Sequence, residues 1–171
     1  MTKTALFCAA ALLLGSAPAL AAGPTDPQIA HIAYTAGNLD VAAAKQALAR
    51  SHNKAVRSFA QQMIRDHQAV NAKALALVKK LHVTPEANST SAGLQKSADA
   101  TLKRLSHLSG RAFDREYANN EVAYHKTVNG ALESTLIPSA KNGELKSLLE
   151  TGLTLFREHQ AHAEQVAKAL K

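Results

Sequence analysis

Three histidines and two acids, His67, His125, His159, Asp40 and Glu121, stand where the surrounding pattern calls for apolar side chains. Stepping in alternating threes and fours follows one face of a helix, and from residue 56 that face reads Val56, Ala60, Met63, His67, Val70, Ala74, Leu77, Leu81. Only His67 is polar. The C-terminal face reads Leu145, Leu149, Gly152, Phe156, His159, Ala163, Val166, Leu170, again with one histidine near mid-length. Asp114, Tyr117, Glu121, His125, Val128 and Leu132 form a third line, on which His125 falls about 20° from Asp114 and about 40° from Glu121 in projection. On the first line, Ile29, Ala33, Ala36, Asp40, Ala43, Ala47, the only acid is Asp40.

Burying such groups one by one costs several kcal/mol, whereas meeting at one height lets them satisfy each other. Imidazoles and carboxylates projecting inward from facing helices are how helical proteins hold metal ions. Asp40, His67, Glu121, His125 and His159 are therefore the candidate ligands of a core metal site. The competing reading is a hydrogen-bonded polar layer that fixes helix register without any metal. His162, one turn beyond His159, is a weaker candidate ligand. Asp66 and Glu158 precede His67 and His159 directly, point about 100° away, and are expected at interfaces or in solvent. His31, His52, His82 and His107 lie near element ends, where solvated or capping roles are expected. Tyr117 and Tyr124 are expected to anchor the core through their rings.

The elements that must position these residues are all helical. The sequence is rich in Ala, Leu, Lys and Gln and lacks alternating β-branched runs. Stops at "SHN" (51 to 53), "TPEANSTSAG" (84 to 93), "LSG" ending at Gly110 and "IPSAKNG" (137 to 143) delimit four long helices, at 28 to 50, 54 to 82, 111 to 134 and 144 to 170. A shorter helix at 94 to 108 precedes the third long one. Short connections within the first and last pairs predict two antiparallel hairpins packed as a four-helix bundle.

Several stretches, "VRSFAQQMIRDH", "LSGRAFDREY" with "EVAYH", and "FREHQAHAEQV", resemble an exported bacterial family known as domain of unknown function 4142, often labelled outer membrane proteins and considered ferritin-like. The resemblance spans about residues 28 to 170. It implies that Asp66, His67, Phe113, Asp114, Tyr117, His125 and His159 are recurrent positions. Where the family usually has Glu-Val on the first helix, this chain has Asp40-Val41, a shorter carboxylate. A ferritin-like fold invites a di-iron reading, but di-iron bundles use two E-x-x-H motifs plus further glutamates, and here the nearest spacing is Glu121-x-x-x-His125. A histidine-rich set fits a single zinc, copper or nickel ion better.

Lys3, the apolar run "ALFCAAALLLG" and Ala19-Leu20-Ala21 read as a secretory signal over residues 1 to 21, leaving 22 to 171 as one helical domain. The expected location is secreted, periplasmic or outer-membrane associated. The only cysteine, Cys8, lies in that leader, which excludes disulfides and thiolate chemistry from the mature chain. Removing Lys3 leaves 19 basic against 13 acidic residues, a net charge of +6 with histidines neutral. That excess favours weak, screened attraction to anionic envelope components. No basic cluster is interleaved with aromatics, so nucleic acid is not an expected partner, and no later segment has the roughly 18 to 20 apolar residues of a membrane span. Phosphate-loop, G-x-S-x-G and H-E-x-x-H motifs do not occur, which weighs against an enzyme. The expectation is an exported metal-binding module, the alternative an envelope-stress or structural interaction protein.

Overall fold

The computed structural model describes residues 23–171, so the expected leader and Cys8 lie outside the described residues. Among the described residues the regular structure is entirely helical, in five helices: α1 (Asp26–Arg50), α2 (Lys54–Lys80), α3 (Ser89–Ser106), α4 (Gly110–Ala131) and α5 (Gly143–Ala169). None is long and apolar enough to cross a membrane.

Before α2, α3 and α5 an asparagine side chain takes up orphan backbone N–H groups. Asn53 accepts from Ala55 and Val56 N–H at 2.9 and 3.2 Å, and Asn142 from Glu144 and Leu145 N–H at 2.9 and 3.0 Å. Asp26 in the first turn of α1 accepts from the Lys141 and Asn142 N–H groups, both at 2.8 Å, tying the start of α1 to the approach to α5.

Two boundaries differ from the sequence expectation. Residues 84 to 93 are not all loop, because α3 begins at Ser89 and runs 18 residues. Asn88 and Ser91 bond reciprocally, each side chain to the other's N–H at 3.1 Å, so polar residues that suggest a loop act as a helix start. The expected break at 137 to 143 is shorter as well. After α4 the chain continues through a π-helical turn, Leu132–Leu136, and one further turn, Ile137–Ser139, before it opens at Ala140.

Helices α1, α2, α5 and α4 each pack on the next around a ring, and α3 lies outside it across α1 and α4. Their shared interior holds two apolar clusters. One centres on Phe59, Met63, Leu105, Phe113, Tyr117 and Ala163; the other is built from Ile29, Ile32, Leu132, Leu145, Leu149 and Phe156. In the first, the Tyr117 ring lies 6.3 Å from Phe59 edge-on and 6.2 Å from Phe113 in parallel, while the Arg50 guanidinium sits 5.9 Å from the Phe113 ring centre. Arg50 also donates to the Ser106 and Leu108 carbonyls at 2.8 Å, locking the α3–α4 link to the end of α1.

Along every helix of the ring, the acids and histidines of the apolar lines fall between these clusters, except Asp114, which lies beside Phe113 in the first. Phe59 is 1% exposed in the tighter one, so Phe59→Ala should lose about 3 to 5 kcal/mol in urea unfolding. Leu75→Ala, at a residue 46% exposed, should stay within about 0.5 kcal/mol of the parent.

Candidate metal centre

Asp40 on α1, His67 on α2, Glu121 and His125 on α4 and His159 on α5 are all buried, at 2, 3, 1, 1 and 0% exposure. All five sequence-derived candidates are brought together. One donor atom each from His67, His125 and His159 lies within 4.8 Å of the others, and the same holds for Asp40, Glu121 and His125. His125 belongs to both groups, so the five form one continuous set.

The spacing is that of donors around a common point more than of groups bonded to each other. Asp40 Oδ2 lies 3.4 Å from His67 Nε2 and 3.5 Å from His125 Nε2. Charge-assisted hydrogen bonds are shorter, about 2.7 to 2.9 Å. Donors bonded at about 2.0 to 2.1 Å to a tetrahedral ion stand about 3.3 to 3.5 Å apart. Both nitrogens of His67, His125 Nε2 and His159 Nδ1 are buried with no hydrogen-bond partner among the described residues, while the buried carboxyls of Asp40 and Glu121 lie within hydrogen-bonding reach of each other. Each such atom costs about 1 to 3 kcal/mol.

Outside the set, two rings are anchored by their remaining nitrogen. His159 Nε2 meets Asp66 Oδ2 at 2.9 Å, and His125 Nδ1 donates to the Glu121 carbonyl at 3.0 Å. Metal-ligating histidines are oriented in this way, with one nitrogen held by a carboxylate or carbonyl and the other turned inward. His67 differs: its ring is stacked on Phe156, 4.7 Å between centres and 13° from parallel, and its Nδ1 has no partner among the described residues.

Burial sets the protonation states. It pushes Asp40 up to about 7 and holds Glu121 well above the usual carboxylate range, with the Asp40 charge adding to the effect on Glu121. Burial also pulls His67 well below the usual histidine value, with the charges of His125 and His159 reinforcing it, and brings His125 down to about 4. His159 is lowered by burial too, against a partial opposing pull from Asp66. The rings are therefore neutral at pH 7, and the Asp40 contacts with His67 and His125 are not ion pairs. Neutral imidazoles are the ligand-competent form.

Asp66 is the residue the spacing argument missed. Its backbone points about 100° from His67, yet α5 packs against α2 closely enough for the carboxylate to reach His159. An acid next to an inward histidine and facing another helix would have been the signal. His162 does not join the set; its Nδ1 contacts Gln62 Oε1 at 2.8 Å and its ring meets Phe59 edge-on at 5.2 Å. Asp114 is buried but stands apart from both donor groups. Tyr124 donates to the Ala36 carbonyl at 2.8 Å, while the Tyr117 hydroxyl is buried without a partner among the described residues. Glu158, His52, His82 and His107 are exposed, and half-buried His31 lies within α1, 3.4 Å from Thr35 Oγ1.

A cavity of about 180 Å³ under α3, lined mostly by apolar side chains with Ser97, Thr101 and Asn120 among them, borders Asp40 and Glu121. The family model described as "Domain of unknown function (DUF4142)" matches residues 11–166. No curated protein and no solved structure matches the chain. Spanning nearly the whole sequence, that match places the chain in the DUF4142 family.

Proposed function

We propose that this protein is an exported four-helix bundle, ferritin-like in arrangement, that binds one transition-metal ion in its core and acts as a binding module. The observation that carries the reading is the convergence of buried donors from four helices in two overlapping groups, each within 4.8 Å, with Asp40 Oδ2 3.4 and 3.5 Å from the Nε2 atoms of His67 and His125. His67, His125 and His159 supply imidazole, Asp40 a carboxylate on their shared face, and Glu121 a further carboxylate beside it. Three neutral imidazoles with few carboxylates favour zinc, copper or nickel over an oxygen-bridged iron pair. A metal-free hydrogen-bonded layer is supported less well, because the ring and carboxylate atoms that would have to bond each other stand 3.4 and 3.5 Å apart. The leader-like N-terminus supports residence in the periplasm or at the outer membrane, and the basic surface supports weak attraction to anionic envelope components.

Calorimetric titration of chelator-treated protein with zinc, copper(II) and nickel tests this directly. One ion per chain is expected for at least one of the three. His67→Ala with His159→Ala should weaken that binding at least 100-fold while helical circular dichroism is retained. An unchanged affinity for all three metals would remove the site. Asp66→Asn should weaken binding about 10- to 100-fold, by loosening His159 and not by removing a ligand.

The pH dependence follows from the acids. Asp40 holds its proton in the folded chain up to about 7 and in the unfolded chain only to 3.8. The stability it contributes is thus present at low pH and lost as pH rises through 7. Without metal, Asp40→Asn should be more stable than the parent at pH 8 to 9, with the gap closing toward pH 4, as read by urea unfolding. In the parent, the Asp40 proton and the one Glu121 holds above the usual carboxylate range compete with the ion, so affinity should fall about tenfold or more per pH unit below 7.

A further inference from the structure

The charge of the chain is gathered at one end of the bundle. The last two turns of α1, α3 and α5 and the first two of α2 and α4 meet there: Arg57 donates to the Leu48 and Ser51 carbonyls at 2.6 and 3.0 Å, Arg50 to the Leu108 carbonyl at 2.8 Å, and Arg111 to the Leu170 carbonyl at 3.4 Å. With their connections these segments, 44–60, 100–116 and 163–171, carry ten basic side chains and three acidic ones, a net of +7. The rest of residues 23–171 carries nine basic and ten acidic. The positive excess of the domain is therefore a property of this end alone.

Helix dipoles account for part of it. Cations at the ends of α1, α3 and α5 complement the negative pole, and Arg50, Arg57 and Arg111 satisfy carbonyls left over there. The two helices that start at this end are a different case. Neither α2 nor α4 has an acid in its first turn, whereas α1 and α5, which start at the opposite end, open with Asp26 and Glu144. Lys54, exposed and the first residue of α2, sits on the pole that disfavours a cation. Nor do neighbours neutralise the face. Of its three acids, Asp114 is buried, Glu116 is taken by Arg104 at 2.8 Å, and Glu164 meets Lys126 further along the bundle at 3.7 Å. Lys45, Lys54, Lys103, Arg115, Lys168 and Lys171 are all exposed and have no acidic partner among the described residues.

The arrangement of these six selects the partner. They come from the ends of all five helices, with α3 lying outside the ring across α1 and α4, so they are spread over a face about two helix diameters by three, roughly 20 by 30 Å. A linear polyanion meets only some of them at once; a plane of anionic headgroups meets them all. Among the described residues the exposed large apolar side chain is Leu75, about 30 Å along α2 from Lys54, while Phe59, Phe113 and Tyr117 are buried beneath the face. The end thus offers neither a wedge for the hydrocarbon layer nor rings on which bases stack. We propose that the protein docks end-on on an anionic lipid surface through this basic end, held by charge and released by salt. Such docking gives the attraction to anionic envelope components proposed above its place on the molecule, rests on that reading, and does not involve the metal.

The test is sedimentation with phosphatidylcholine vesicles, with and without about one-third phosphatidylglycerol. Saturable binding is expected only with phosphatidylglycerol, weakened at least tenfold when salt rises from about 0.01 to about 0.1 M and the screening length falls from about 30 to about 10 Å. A basic residue near such a surface contributes about fivefold, so Lys54→Glu with Arg115→Glu and Lys168→Glu should cost about 100-fold or more. The matching control, Lys73→Glu with Lys79→Glu and Lys146→Glu, makes the same change of net charge roughly 30 Å from the face and should stay within about fivefold of the parent at the higher salt. Both variants should keep the parent's helical circular dichroism. Equal losses in the two would leave a diffuse attraction and overturn the end-on face, whereas no binding to phosphatidylglycerol vesicles would overturn the attraction itself. Duplex DNA bound as tightly as the vesicles at equal phosphate concentration would assign the face to a linear polyanion and overturn the lipid surface as its partner.

Discussion

The constraint on which the rest of the molecule depends is the need to satisfy several ionisable side chains in one dry layer. Asp40, His67, Glu121, His125 and His159 come from four helices, each at most 3% exposed. None is partnered by its own helix except through the His125 to Glu121 carbonyl bond. A layer of this kind permits only one relative height for the helices, since sliding any of them by a turn would move a charge-bearing group into an apolar cluster. Register that Leu and Ala packing alone would leave loose is thereby specified.

The same layer separates two kinds of interior. On one side, aromatic rings and Leu105 from α3 close the space completely; on the other, alanines and glycines at matching positions keep α1, α2 and α5 close in backbone yet leave volume between their side chains. Gly37 illustrates the trade: a β-carbon there would run into the Asn71 amide, which instead donates to Asn38 at 3.0 Å and joins α1 to α2 at the edge of that space. The closely packed half and the more open half thus meet at the donor layer.

Much of this was legible in the sequence because helical periodicity is strict. The inward lines through Val56, Leu145, Ile29 and Tyr117 name the core faces, and apart from Asp114 the acids and histidines on them are the five donors, since a residue's face on a helix follows from its number alone. What periodicity does not contain is how far a neighbouring helix reaches. Asp66 was assigned away from the layer by its 100° offset, correctly for its own helix, yet the packing of α5 brings His159 to it. Asp114 likewise projects near His125 but sits about three turns away along the axis. Residues 84 to 93 misled for another reason: asparagine and serine favour both loops and helix starts, and the reciprocal Asn88–Ser91 bonds decide for the helix only once the backbone is in place.

Protonation is where the three-dimensional arrangement most changes the chemical argument. From the sequence, a histidine-rich site is expected to lose its metal as the imidazoles protonate near their ordinary pKa. Burial reverses the roles: the rings are already neutral well below that range, and the acids, raised by the same burial, hold the protons at pH 7. A divalent ion bound as proposed would compete not with three imidazolium protons but with those held by Asp40 and Glu121. It would replace them in a place where a carboxylate charge is costly and a nearby cation relieves that cost. Coupling of that form would tie occupancy of the proposed centre to pH near neutrality, through the acids that the cavity under α3 borders.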